Sequence, residues 1–232
     1  MVNLAAAVLD PLLRSDPAGP RITYYDDATG ERIELSTATL ANWAAKTGNL
    51  LRDELGAGPT TRVGVLLPAH WQTAAVVLGI WWIGGEAVIG GSADLDMCTA
   101  ERLSEASAAE VVALSLHPFG RPVPDLPVGV TDYATAVRVH GDAIVAEGRP
   151  GPALGGRSAD DVLAAAVGAA RRLGITAGDR VMSTAGWVTD DELVDRLVSV
   201  FAVGASLVQV ANPDPAAMER RQVSEKVTSR LD

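Results

Sequence analysis

The 35 residues from Leu55 to Ile89, LGAGPTTRVGVLLPAHWQTAAVVLGIWWIGGEAVI, constrain the fold of this chain more than any other stretch. Arg62 to Leu67 is a short, β-branched apolar run ended by Pro68, the pattern of a buried strand. Ala69 to Ile83 is long enough for a helix and apolar on nearly every side, so a helix there has to be covered all round. Gly84 and Gly85 stop it, because glycine takes the left-handed conformation of a helix terminus without a Cβ clash. Glu86 to Ile89 then reads as a second strand, and strand, crossover helix and strand make a parallel βαβ unit.

The same order returns 118 positions further on. Leu173 to Val210, LGITAGDRVMSTAGWVTDDELVDRLVSVFAVGASLVQV, again has Leu-Gly, Arg-Val seven residues after that leucine, a helix-length stretch, a glycine and an apolar strand. Arg62 lies 23 residues before Gly85, and Arg180 lies 24 before Gly204. Any two βαβ units share a helix and a strand, but nothing in that architecture demands the common Leu-Gly approach to Arg-Val. The expectation is a duplication: two related, mainly parallel α/β lobes, the first over 1–140 with an N-terminal helix and a β-hairpin, the second and smaller over 141–232, with one compact domain as the alternative.

The remaining elements fit around these units. Val2 to Leu13 carries Leu4, Val8, Leu9 and Leu12 at helical spacing, with Pro11 limiting the helix. Ile22 to Tyr25 and Arg32 to Leu35 flank DDATGE, whose Gly30 suits a hairpin turn. Ser36 or Thr37 caps a helix running to about Leu55. Gly90 to Asp96 reads as a loop and Thr99 to Ala108 and Tyr133 to Val137 as helices. Glu110 to Leu114, Val128 to Val130 and Asp142 to Ala146 read as strands. Ser158 with Asp161, and Thr189 with Glu192, have capping-box spacing ahead of helices to Leu173 and Val203, and Asp214-Pro215 opens a terminal helix. Helices alternate with strands throughout, as in α/β folds.

Composition excludes several classes of function. Of 232 residues, 48% are hydrophobic, enough for a sizeable core. Nineteen basic against 29 acidic residues give a net charge of −10, which repels phosphate backbones, so nucleic acid is not an expected partner. The most apolar window, Ala74 to Ile83, is far short of the roughly 20 residues that span a bilayer, so no membrane span is expected and Trp81-Trp82 belongs to a core or an interface. The N-terminus lacks the charged start and apolar run of a signal peptide, and the one cysteine, Cys98, forms no intramolecular disulfide. The expected location is the cytoplasm.

A helix running into Leu-Gly, a short turn, Arg-Val and a strand ending in Leu-Leu-Pro, followed by an apolar helix, glycine and an apolar strand, resembles the N-terminal domain of the adenylate-forming enzymes, the acyl-CoA synthetase group. Gly178, Asp179, Arg180 and Val181 match the Gly-Asp-Arg-Val with which that family's second lobe begins. In element order the likeness covers Ile22 to Val227.

The resemblance implies a phosphate-gripping loop, rich in Ser, Thr and Gly and ending in Lys, between a strand and the helix that opens the second lobe. Glu147 to Arg157, EGRPGPALGGR, occupies that slot. It holds no Ser, Thr or Lys, and Pro150 and Pro152 lack amide donors. Gly148, Arg149, Gly155, Gly156, Arg157 and Ser158 are the candidate anion-binding residues, set against the plainer reading of a connecting loop. No lysine lies between Lys46 and Lys226, and the chain stops before the family's later motifs, so the resemblance implies a truncated relative without the charge stabilisation adenylation needs. His70, His117 and His140 are scattered and form no metal-ligand spacing, although His70, at a helix start, is placed to line a cleft. Cys98, expected near a helix start where a thiol pKa falls, is read as structural. Asp190-Asp191 and Asp160-Asp161 sit in first turns and complement helix dipoles. The expectation is therefore a catalytically degenerate synthetase-like protein, with no catalytic residue, metal or cofactor, acting by binding a protein partner, by self-association or by assembly. The alternative is a small nucleotide- or acyl-CoA-binding enzyme using the loops Gly90 to Asp96 and Ala185 to Asp190.

Overall fold

The computed structural model describes residues 2–231. In chain order the elements are α1 (Leu4–Ser15), β1 (Pro20–Asp26), β2 (Glu31–Ser36), α2 (Thr37–Asn49), β3 (Arg62–Leu66), α3 (Trp71–Trp82), β4 (Glu86–Val88), β5 (Leu95–Thr99), β6 (Glu110–Leu114), β7 (Val130–Asp132), α4 (Tyr133–Ala136), α5 (Ala159–Leu173), β8 (Arg180–Ser183), α6 (Asp190–Leu193), α7 (Ser199–Ala202), β9 (Ser206–Ala211), α8 (Pro215–Ser224) and β10 (Ser229–Leu231). A π-helical turn at Leu50–Glu54 extends α2, and another at Val194–Val198 joins α6 to α7.

The strands form two five-stranded sheets, ordered β4-β3-β5-β6-β7 and β10-β8-β9-β1-β2. All pairings are parallel except that of β1 with β2. The duplicated stretches occupy equivalent places. Each central strand, β3 or β8, is flanked by the two strands that follow it, β4 and β5 or β9 and β10. Val63 pairs with Ala87 and Leu95, and its counterpart Val181 pairs with Leu207 and Ser229. A boundary at residue 140 assigns the β1–β2 hairpin to the first lobe, but its strands belong to the other sheet, because β1 lies parallel to β9 from Ile22–Leu207 to Asp26–Ala211.

The apolar helix is the centre of the molecule. Every residue of α3 is buried, and it packs against α1, α2, β3 and β1, the last two from different sheets. Trp81 and Trp82 are core residues, and the Trp81 indole donates to Ala153 O. On the far face of the second sheet, Met182, Val208 and Val210 form a smaller cluster with Met218 and Val227, under α8. Alternation along β8 and β9 produces the two clusters, with Val181 and Leu207 facing the main core.

Several elements differ from the sequence expectation. Residues 95–99 are a buried strand rather than a loop and helix start. Its Asp96 accepts from the Ser107 and Ala108 amides, which accounts for a carboxylate in a strand interior. The next segment, Ala100–Glu105, is a 3₁₀ turn and not an α-helix. Asp142 to Ala146 is not a strand: the Asn49 amide bridges Gly141 O, just before it, and Ala143 O within it. The terminal helix ends at Ser224, and the chain then adds β10 as a three-residue edge strand.

Candidate functional site

The segment in the slot of a phosphate loop is strapped onto the end of α3 and the start of β4. Glu147 N donates to Trp82 O, Gly151 N to Gly84 O and Gly156 N to the Glu86 carboxylate at 2.7 Å. Ala153 N and Leu154 N donate to Arg157 O, and Arg157 N donates back to Leu154 O. The fit is close: a Cβ on Gly151 would lie 1.9 Å from Pro59 O, and one on Gly155 2.0 Å from Asp190 Oδ2. Gly155 and Gly156 both have positive φ, 55° and 74°, so the turn depends on glycine.

Of the candidate anion-binding residues, Gly155, Gly156, Arg157 and Ser158 come together, while Arg149 is exposed on the strap. Their surroundings are acidic. Asp190 and Glu86 line the same small cavity, the Arg157 guanidinium lies 3.5 Å from Asp191, and Arg62 lies 3.4 Å from Glu86. Burial pushes the Asp190 pKa up, Arg157 opposes this, and Asp191 and Glu86 add to it. Ser158 caps α5, accepting from Asp161 N and donating to the Asp161 carboxylate. Within this segment the amides of Glu147, Arg149, Gly151, Ala153, Leu154, Gly156 and Arg157 all donate to protein acceptors.

The other loops have local duties as well. Asp94 accepts from Arg62 N, Ala185 N donates to Ser183 Oγ, and Val188 N donates to Glu192. Cys98 lies inside β5, fully buried. Burial raises its thiol to about 11, opposite to the effect of a helix start and consistent with a structural role. Among the described residues no group of three or more His, Cys, Asp or Glu is arranged to hold a metal ion. None of their helices is long and apolar enough to cross a membrane.

The larger opening lies elsewhere, where the carboxyl ends of strands from both sheets converge. A cleft of about 790 Å³ is lined by Tyr24 and Asp26 at the end of β1, Pro68 and His70 after β3, Glu101 after β5, Ser115 to Pro118 after β6, Asn212 after β9, and Glu31 at the start of β2. Ligands of open α/β sheets bind at such carboxyl ends. His70 is buried and caps α3: Nδ1 accepts from Gln72 N at 3.1 Å, which leaves the proton of the neutral ring on Nε2. Its ring meets Tyr24 edge-on at 4.3 Å, and Nε2 lies 3.9 Å from Glu31 Oε1, a contact too long for a hydrogen bond. Burial lowers the His70 pKa, against the raising effect of Glu31 and Asp26. The same burial, with Asp26 and Glu31 nearby, raises that of Tyr24. Asp26 accepts from Asn212 Nδ2 at 2.8 Å. A smaller cavity of about 260 Å³, with Trp43, Trp71, Phe119 and Tyr133 in its walls, shares Pro118 with the cleft.

Of the cleft residues, sequence reasoning singled out His70. Tyr24, Glu31 and Asn212 carried no signal, because they reach the cleft only through the pairing of β1 with β9.

No family model matches the sequence. Solved structures with the same fold include an acyl-CoA synthetase of Brucella canis, 18% identical with a TM-score of 0.82, over 99% of this chain and 47% of that one. An anthranilate CoA ligase in complex with anthranoyl-AMP is 17% identical with a TM-score of 0.72, over 97% and 47%. A benzoate CoA ligase from Burkholderia xenovorans LB400 is 17% identical with a TM-score of 0.76, over 99% and 50%. The chain therefore spans about half the length of these ligases, and at such identities the likeness concerns the fold. A protein of Mycobacterium tuberculosis (strain ATCC 25618 / H37Rv), described as a TIGR03089 family protein, is 65% identical over 238 residues, covering 99% of this chain and 98% of that one. By that identity over nearly its whole length, the chain, built on the acyl-CoA ligase-like α/β scaffold, belongs to the TIGR03089 family.

Proposed function

We propose that the protein is a cytoplasmic, catalytically degenerate relative of the acyl-CoA ligases that works by binding or assembly and does not adenylate an acid. The observation that carries this reading is the strap over residues 147–157. Its amides donate to Gly84, Glu86, Leu154 and Arg157, Glu86 and Asp190 line the small cavity beside it, and its Arg157 lies 3.5 Å from Asp191. A triphosphate placed there would break protein hydrogen bonds and meet like charge, where phosphoryl transfer needs preorganised donors and cations. The experiment is ATP–pyrophosphate exchange with a panel of aliphatic and aromatic carboxylic acids. Exchange no faster than the protein-free background is expected, and acid-dependent exchange that Arg157→Ala reduces would overturn the proposal.

A second reading, a small nucleotide- or acyl-CoA-binding enzyme with a non-standard site, draws support from the size of the cleft, which lies in the range of small-molecule sites. The charge of its lining counts against an anionic ligand.

A further inference from the structure

We infer that the smaller cavity, the one walled by aromatic rings, is a binding site for a neutral, planar aromatic compound that carries one O–H or N–H donor, a phenol or an indole. The inference rests on the proposed binding role and gives it a ligand class. Gln72 is the observation that points to a ligand. Its side chain is only 5% exposed and lines the cavity. His117 O, 3.4 Å from Nε2, fixes the orientation of the amide, because the flipped rotamer would set two carbonyl oxygens against each other. Oε1 is therefore the free end. It accepts no hydrogen bond from the described residues, and it is not sealed in the core as Trp71 Nε1 is. A molecule in the cavity can reach it, and a largely buried amide oxygen gains by meeting a donor.

The walls decide the rest of the molecule. Trp43 and Trp71 stand edge to face with ring centroids 5.6 Å apart. Tyr133 keeps its hydroxyl on Thr47, at 2.7 Å, and so offers the cavity its ring. Phe119 adds a fourth ring that is 80% exposed. An aromatic ligand would cover that ring, and aromatic pairs attract beyond the area they bury. No carboxylate lines the cavity, and the one charged residue in its lining, Arg138, disfavours an amine. Arg138 is exposed and already donates to Gly120 O, so it adds little for an anion. What remains is a flat, uncharged ring system with a donor for Gln72. The volume of about 260 Å³ has room for two fused rings.

The test is titration calorimetry of the full chain at pH 7.5 with three two-ring probes: 2-naphthol, 2-methoxynaphthalene, which lacks the donor, and decahydro-2-naphthol, which keeps the hydroxyl without the aromatic faces. 2-Naphthol is expected to bind saturably at one site, the methyl ether about fivefold more weakly and the saturated alcohol at least tenfold more weakly. Gln72→Met, near-isosteric, is expected to weaken 2-naphthol about fivefold, the loss of one hydrogen bond, and to leave the methyl ether unchanged. Phe119→Ala, at an exposed position, is expected to weaken both aromatic probes about fivefold. Melting curves check that both variants fold, and should Gln72→Met fail to do so, Phe119→Ala and the wild-type probe series still decide. No saturable binding of 2-naphthol overturns the inference, as does equal affinity for either of the other probes, a folded Gln72→Met that binds 2-naphthol unchanged, or a Phe119→Ala variant that binds both aromatic probes unchanged. None of these outcomes bears on ATP–pyrophosphate exchange, so a failure here is distinct from a failure of the non-adenylating reading.

Discussion

At the scale of single residues, His70 links the stability of the fold to the cleft. Its Nδ1 holds the first turn of α3 by accepting from Gln72 N, a bond that exists only while that nitrogen is unprotonated. Burial depresses its pKa below the ordinary 6.5, with the Glu31 and Asp26 charges working the other way. The folded state thus binds fewer protons than the unfolded chain. The stabilisation is present above about pH 6.5 and is lost as pH falls below it. Asp27, Asp179 and Glu225 are held below their ordinary values of 3.8, 3.8 and 4.5 by hydrogen bonds to Arg221, to Thr228 and Thr176, and to Tyr25, Arg180 and Arg32, so their contribution is lost only in more acid solution. Between pH 7 and 5 the melting temperature should therefore fall in the wild type and stay flatter in His70→Asn, since asparagine keeps the cap without titrating there. Parallel slopes in a thermal melt series would refute that role. The histidine itself was visible in the sequence as a helix-start residue. Its partners were not, for Glu31 and Tyr24 come from a hairpin about 40 positions upstream that no local pattern connects to it.

At the scale of elements, the helix caps were legible because they are short-range chemistry: Ser36, Ser158, Thr189 and Asp214 each accept from the amide two or three residues on. The strands β5 and β10 were hidden for opposite reasons. One carries a carboxylate satisfied by amides 11 and 12 residues away, and the other is a polar three-residue edge. Also invisible locally was the crossing of α2 and α3, where Gly79 meets Gly48. A Cβ on Gly79 would lie 2.9 Å from Ala44 O and 3.0 Å from Gly48 N, both backbone atoms of α2. Gly79→Ala should cost about 1–3 kcal/mol, the usual range for overpacking a core. Gly168, in the interior of α5 with nothing within 4 Å of its would-be Cβ, supplies the control: Gly168→Ala should stabilise by about 0.5–1 kcal/mol. Urea denaturation measures both, and equal effects in the two variants would contradict the close crossing.

At the scale of the whole molecule, the repeat read from Leu-Gly and Arg-Val reappears as β4-β3-β5 against β9-β8-β10. Pattern captured this because each copy is a contiguous unit. The way the sheets are completed, with the N-terminal hairpin joining the later strands, depends on long-range pairing and left no trace in spacing or hydropathy. That same pairing creates the cleft. The result is a ligase-like scaffold in which residues 147–157 are tied down by hydrogen bonds within the protein and the larger cleft is lined by Asp26, Glu31 and Glu101. Titration calorimetry of MgATP into the full chain tests this most directly. No saturable heat at millimolar nucleotide is predicted, whereas a one-to-one isotherm that Arg157→Ala weakens would contradict it.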